Sequence, residues 1–141
     1  MSSVEFRRAA YAVNGRALVE DISFSIQPGE TVVLLGRSGS GKTTTLKLTN
    51  RLLEPTSGEV FVEGKRTTDW DPIRLRRRIG YVIQEVGLFP HFTVERNVGL
   101  VPTLEGWPEP KKQERVREML RLVGLDPDRF ADRYQIGRAH V

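Results

Sequence analysis

Cysteine is missing altogether from the 141 residues. That excludes disulfide staples and thiolate metal sites, and it fits a reducing compartment. Long apolar runs are missing too: none approaches the roughly 18 residues that a membrane-spanning helix needs. No internal repeat or low-complexity tract breaks up the chain, whose composition is that of an ordinary globular protein. Charge of one sign is scarce, since 22 Lys and Arg against 18 Asp and Glu leave a net +4. The one basic cluster, Arg74 with Arg76, Arg77 and Arg78, has no interleaved aromatics. It is expected to be a solvated helix face, not a nucleic-acid patch. The length suits one domain, burying about two-thirds of its unfolded surface.

What the chain does hold is a complete G-x-x-x-x-G-K-[ST] motif, Gly36-Arg37-Ser38-Gly39-Ser40-Gly41-Lys42-Thr43. It follows an apolar, β-branched run over 31–35 that is bounded by Pro28-Gly29. The expected context is therefore strand, phosphate-binding loop, helix. Glycines let backbone N–H groups curl around a triphosphate, and the helix that starts at about Gly41 aims its positive end at the same anion. Lys42 is placed to reach the β- and γ-phosphates, and the Thr43 hydroxyl to ligate Mg²⁺. The motif predicts binding of a nucleoside triphosphate.

Elsewhere the pattern alternates between strand and helix. Residues 4–13 and 18–26 read as strands joined at Asn14-Gly15, an antiparallel pair. Leu46, Leu48, Leu52 and Leu53 supply the apolar positions of the helix after the loop, which Glu54-Pro55-Thr56-Ser57-Gly58 ends. A short strand is expected over 59–62, then a brief basic helix with Asp71 as N-cap and Pro72 at its first position. Residues 79–83 read as a strand that delivers Gln84 at its C-terminal end, where ligands bind in open α/β sheets. A loop over 85–92 carries Leu88-Phe89-Pro90-His91-Phe92, and Thr93 caps a helix to about Leu100. Val116, Met119, Leu120 and Val123 mark an amphipathic helix over 110–123, with Gly124 just past its end.

These separated elements together resemble the ATP-binding subunits of ABC transporters over about residues 4–134. The resemblance rests on Tyr11 about 25 residues before the loop, Asp21-Ile22-Ser23-Phe24, Pro28-Gly29-Glu30, the loop itself, Glu54-Pro55-Thr56-Ser57-Gly58, and Gly80-Tyr81-Val82-Ile83-Gln84. Within the family, Asn50-Arg51-Leu52-Leu53 and Gly87-Leu88-Phe89-Pro90-His91 are most similar to importers of quaternary-amine osmoprotectants such as glycine betaine, choline and carnitine. The resemblance implies ATP and Mg²⁺ as cofactors. Tyr11 would stack on adenine, with Phe6 as a substitute. Gly36, Arg37, Ser38, Gly39, Ser40 and Gly41 would cradle phosphates with Lys42 and Thr43, and Thr44 would add a hydroxyl to the α-phosphate. Gln84 would touch Mg²⁺ or the attacking water, so Thr43 and Gln84 are the metal-side residues. Implied partners are a second ATP-binding subunit (identical or a paralogue), a membrane permease contacted by the loop over 85–92, and indirectly a solute-binding protein. No nucleic acid is expected. The implied location is the cytoplasmic face of the cell membrane. For the apolar residues of the 85–92 loop, a small core under the helical segment is the competing reading.

The expected fold is a truncated α/β phosphate-loop domain: an N-terminal antiparallel β segment, an incomplete central sheet, and a helical subdomain that begins at about residue 87. Hydrolysis in this family uses a Leu-Ser-Gly-Gly-Gln signature, an apolar strand ending in Asp-Glu and a switch histidine. None is present, and neither His91 nor His140 matches the last. Residues 1–134 are read as the N-terminal part of the nucleotide-binding domain, and 135–141 as a non-native tail. Ile136-Gly137-Arg138-Ala139-His140-Val141 matches one reading frame of a common sequencing-library adapter. As a 141-residue chain it is expected to be poorly soluble, with exposed strand edges. Two alternatives stay open: a nucleotide-binding chain without turnover, and an importer ATPase for another solute such as amino acids. The β segment before the loop, Tyr11 and Gln84 argue against a small-molecule kinase or GTPase.

Overall fold

Asn14 and Gly15 both adopt positive φ (50° and 75°), the geometry of a two-residue turn whose twist matches that of the strands it joins. In the computed structural model, which describes residues 1–134, this turn connects β1 (Val4–Val13) to β2 (Arg16–Ile26) in an antiparallel pair. A second turn of this kind, at Glu63 and Gly64, joins β3 (Ser57–Val62) to the two-residue β4 (Lys65–Arg66). The sheet runs β2-β1-β3-β4, antiparallel throughout.

The chain divides into two compact units, residues 1–80 and residues from 81 onward. In the first, one sheet face packs on α1 (Lys42–Thr49). Phe6, Ala9, Leu48 and Val60 form the core cluster, with Val4, Tyr11, Ile22, Phe24 and Leu53 packed around it. Phe6 and Phe24 sit opposite each other across the β1–β2 ladder with their rings stacked at 4.6 Å. Burying a side chain of this size contributes about 1.5–3 kcal/mol. Gly58 is required where β3 crosses β1. Its φ is +70°, and a Cβ there would stand 2.0 Å from the Arg8 carbonyl oxygen. Past a 3₁₀ turn (Thr67–Asp69), α2 (Pro72–Arg77) starts as the sequence predicts, with the Asp71 carboxylate accepting from the Arg74 N–H.

In the second unit α3 (Val94–Val98) and α4 (Leu100–Leu104) meet at buried Gly99, and α5 (Glu109–Leu122) precedes α6 (Pro127–Phe130). Val116 and Leu120 are the buried face of α5. The helix ends with the Gly124 N–H on the Arg121 carbonyl and the Leu125 N–H on the Leu120 carbonyl. With Gly124 at φ 78°, this is a Schellman closure and satisfies carbonyls that the helix leaves free.

The structure corrects the sequence reading in several places. Residues 31–35 and 79–83 are not strands, and no central parallel sheet forms among the described residues. Val33, Leu35 and Val82 are exposed, because neither run has a ladder partner there and a lone extended segment gains no burial. Leu46 and Leu52 face outward, as does Val123. The helix capped by Thr93 stops at Val98, and a second short helix carries on through Pro102. The tail expected over 135–141 lies outside the described residues.

Candidate functional site

The phosphate-binding motif folds as a loop and a helix without the strand expected before them. Residues 36–41 form an exposed turn that the Ser40 N–H closes on the Arg37 carbonyl. Two glycines in it take left-handed backbone, Gly39 at φ 81° and Gly41 at φ 96°. Gly36 and Gly41 also matter for space. A Cβ on Gly36 would stand 2.5 Å from the Ser40 Oγ, and one on Gly41 would stand 2.4 Å from the Leu18 carbonyl oxygen. Any side chain at either position would fill the cradle or push it off the sheet.

Lys42 folds back over this loop. Its ammonium donates to the Gly36 carbonyl at 2.5 Å and the Arg37 carbonyl at 2.7 Å, with the Ser40 hydroxyl at 3.5 Å. A cation held by loop carbonyls is positioned at the loop mouth and can exchange them for phosphate oxygens. Gly41 is the N-cap of α1 and offers no side-chain acceptor, so the first-turn N–H groups of the helix carry no cap. By contrast α2, α3 and α6 are capped by Asp71, Thr93 and Asp126. Uncapped N–H groups at the positive end of a helix, next to a lysine, are a fitting seat for an anion. Thr43 is exposed in that first turn, Thr44 is half-buried, and Thr45 turns its hydroxyl back onto the Gly41 carbonyl at 2.8 Å.

The opposite end of α1 is fixed by a residue to which the sequence reading gave no such role. Arg76 donates to the carbonyls of Asn50 and Arg51 at 3.2 and 2.7 Å, where the helix has ended and Arg51 turns to φ 56°. Its signal was hidden in the basic run of α2. The expected solvated face therefore has one member that holds α1, and Arg78 pairs with Glu63 at 2.9 Å. That hydrogen-bonded carboxylate raises the Arg78 pKa still further.

Tyr11 is brought near this site. It stands across the β1–β2 ladder from Val19, whose side chain would lie 3.2 Å from a Cβ on Gly41. Its ring is half-buried and packs against the core cluster. Phe6 is not available as a base platform, because it is only 2% exposed and stacked on Phe24. Gln84 belongs to the second unit. It is exposed, at a bend and not at a strand end. In the 85–92 loop Val86, Leu88 and Phe89 are exposed, so these three do not form a small core under the helices. Among the described residues no group of three His, Cys, Asp or Glu could hold a metal. A divalent ion here would be held by one or two side chains together with substrate phosphates, the usual manner for Mg²⁺. No described helix is long and apolar enough to cross a membrane.

Comparisons with other proteins bear on the family. A family model described as ABC transporter matches residues 19–137. The glycine betaine/carnitine/choline transport ATP-binding protein OpuCA of Bacillus subtilis is 51% identical over 120 residues, 85% of this chain and 31% of that protein. The chain thus spans about a third of the length of that relative. Among solved structures, the ATP-binding cassette MJ0796, a dimer bound to ADP and Pi, superposes with a TM-score of 0.79 at 30% identity, over 94% of this chain and 62% of that one. CbiO1 of Clostridium perfringens, part of the ABC transporter complex cbiONQ, gives 0.81 at 25% identity, over 94% and 54%. A match that takes in both the phosphate loop and the helical segment after it leaves one conclusion: the chain belongs to the ABC transporter family.

Proposed function

We propose that the chain is the nucleotide-binding part of an ABC importer's ATPase subunit, working at the cytoplasmic face of the membrane. The observation that carries this reading is Lys42 drawn over the loop at the uncapped start of α1. Loop N–H groups over residues 36–41 cradle the phosphates, and Lys42 neutralises the β- and γ-phosphates. Thr44 donates to the α-phosphate, and Tyr11 supplies a face for the adenine. Thr43 would hold Mg²⁺, which would spread the developing negative charge when bound, and the resemblance assigns Gln84 to Mg²⁺ or the attacking water. Hydrolysis in this family would also use the signature, the paired carboxylates and the switch histidine, which are not among these 141 residues. Two such subunits close around ATP and act on a membrane permease through the 85–92 loop, with a solute-binding protein delivering the cargo.

The cargo is a quaternary-amine osmoprotectant. The support is the similarity to OpuCA, whose own name gives glycine betaine, carnitine and choline. The test uses the full-length subunit with its permease. Lys42→Ala lowers affinity for a fluorescent ATP analogue about 100-fold, the size expected on losing charge-assisted bonds to phosphate. Unchanged affinity overturns the site. Uptake of labelled glycine betaine, choline or carnitine, against methionine or histidine, decides the cargo.

A further inference from the structure

We infer that Asn97 is the positioning residue that sets the shape of the 85–92 loop and so decides whether it engages a permease. The inference rests on the docking role proposed above for that loop. Asn97 lies on α3, one turn beyond the Thr93 cap, and its amide spans the end of the loop. Its Oδ1 accepts from the Phe89 N–H at 2.9 Å. Its Nδ2 donates to the carbonyls of Phe89 and Thr93, each at 3.1 Å, and lies 3.4 Å from the Phe92 carbonyl. A backbone N–H needs an acceptor and carbonyls need a donor, so these partners fix which way the amide points. One side chain thus does for residues 89–93 what a β ladder does for a strand.

The apolar groups depend on that clamp. Phe89 packs on Phe92 at 4.9 Å between ring centres, and His91 packs edge-on to Phe92 at 4.6 Å. The Arg96 guanidinium covers the Phe92 ring at 3.9 Å. With that end of the loop held, Val86 and Leu88 stay exposed next to it and present an apolar surface of fixed shape. A preorganised loop loses less conformational freedom on binding than a free one. Asn97 sits on a firm base. The Val94 N–H donates to the Arg133 carbonyl at 2.7 Å, and the Glu95 N–H to the Ala131 carbonyl at 2.9 Å. Thr93 also bridges to Tyr134. The start of α3 is therefore tied to the segment over 131–134, and Asn97 joins the loop to that tie.

The experiment compares Asn97→Ala, Asn97→Asp and Leu88→Asp in the full-length subunit. It reads permease affinity, ATP-analogue affinity and amide hydrogen exchange. Asn97→Asp keeps the shape and the acceptor but sets a carboxylate oxygen against three carbonyls, so lost packing cannot explain its effect. The expected result is a tenfold or greater loss of permease affinity in all three variants. ATP-analogue affinity stays within twofold, and Phe89 amide exchange rises at least tenfold in both Asn97 variants. If Leu88→Asp weakens permease binding and Asn97→Asp does not, the positioning role is overturned while the docking role stands. Weaker binding without faster Phe89 exchange overturns it as well. If Leu88→Asp has no effect, the docking role fails and the inference falls with it.

Discussion

Val60 in β3 and Val33 before the phosphate loop sit in sequence contexts that read alike, as short apolar runs rich in β-branched residues. Yet Val60 is 1% exposed and Val33 is 70% exposed. The difference lies in their partners. Val60 stands opposite Phe6 on β1, and β1 already stands in register with β2 through a two-residue turn. The β1–β2 hairpin closes locally, and β3 then adds to it from far along the chain, so Val60 gains a strand that is already in place. The run over 31–35 has no strand beside it among the described residues, so its backbone turns to water and its side chains gain little burial. A β-branched apolar run is thus a request for a partner. Whether it becomes a strand depends on what the rest of the fold brings alongside.

Three substitutions sharpen this contrast. The largest effect belongs to Phe6→Ala, which empties the centre of the paired region and is expected to lower stability by about 3–5 kcal/mol in urea denaturation. A loss under about 1 kcal/mol would break the contrast, for the sheet core would then be no better packed than the unpaired run. Next is Gly58→Ala. It forces a Cβ onto the Arg8 backbone at a φ of +70° and is expected to cost about 2–3 kcal/mol, read the same way. The smallest is Val33→Asp, expected to change stability by less than about 0.5 kcal/mol because an exposed side chain loses no burial. A loss above about 1 kcal/mol would mean that residues 31–35 pack against something.

Much of the local geometry around the loop was legible in the sequence. The glycine pattern at 36, 39 and 41 predicts a tightly curled loop, and the loop folds with positive φ at Gly39 and Gly41. The caps at Asp71 and Thr93 and the Gly124 closure were equally plain, since each depends on residues within a few positions of the element it ends. Other features could not be read this way. Phe6 and Tyr11 are both aromatics on β1, and only the ladder shows that Phe6 is buried against Phe24 while Tyr11 stays half-exposed. Asn97 left a faint trace, a polar residue four positions after a cap. Nothing in that spacing says that its amide reaches back eight residues to Phe89.

The sequence by itself determined the local devices: the turns at Asn14-Gly15 and Glu63-Gly64, the helix caps, the phosphate loop, and through its motifs the family. Each follows from backbone conformations and hydrogen bonds that neighbouring residues settle among themselves. Only the tertiary structure decided which apolar runs pair, which aromatic is buried, that Arg76 holds the end of α1, and that Asn97 holds the loop. Those outcomes depend on groups far apart in the chain, whose meeting no local pattern encodes.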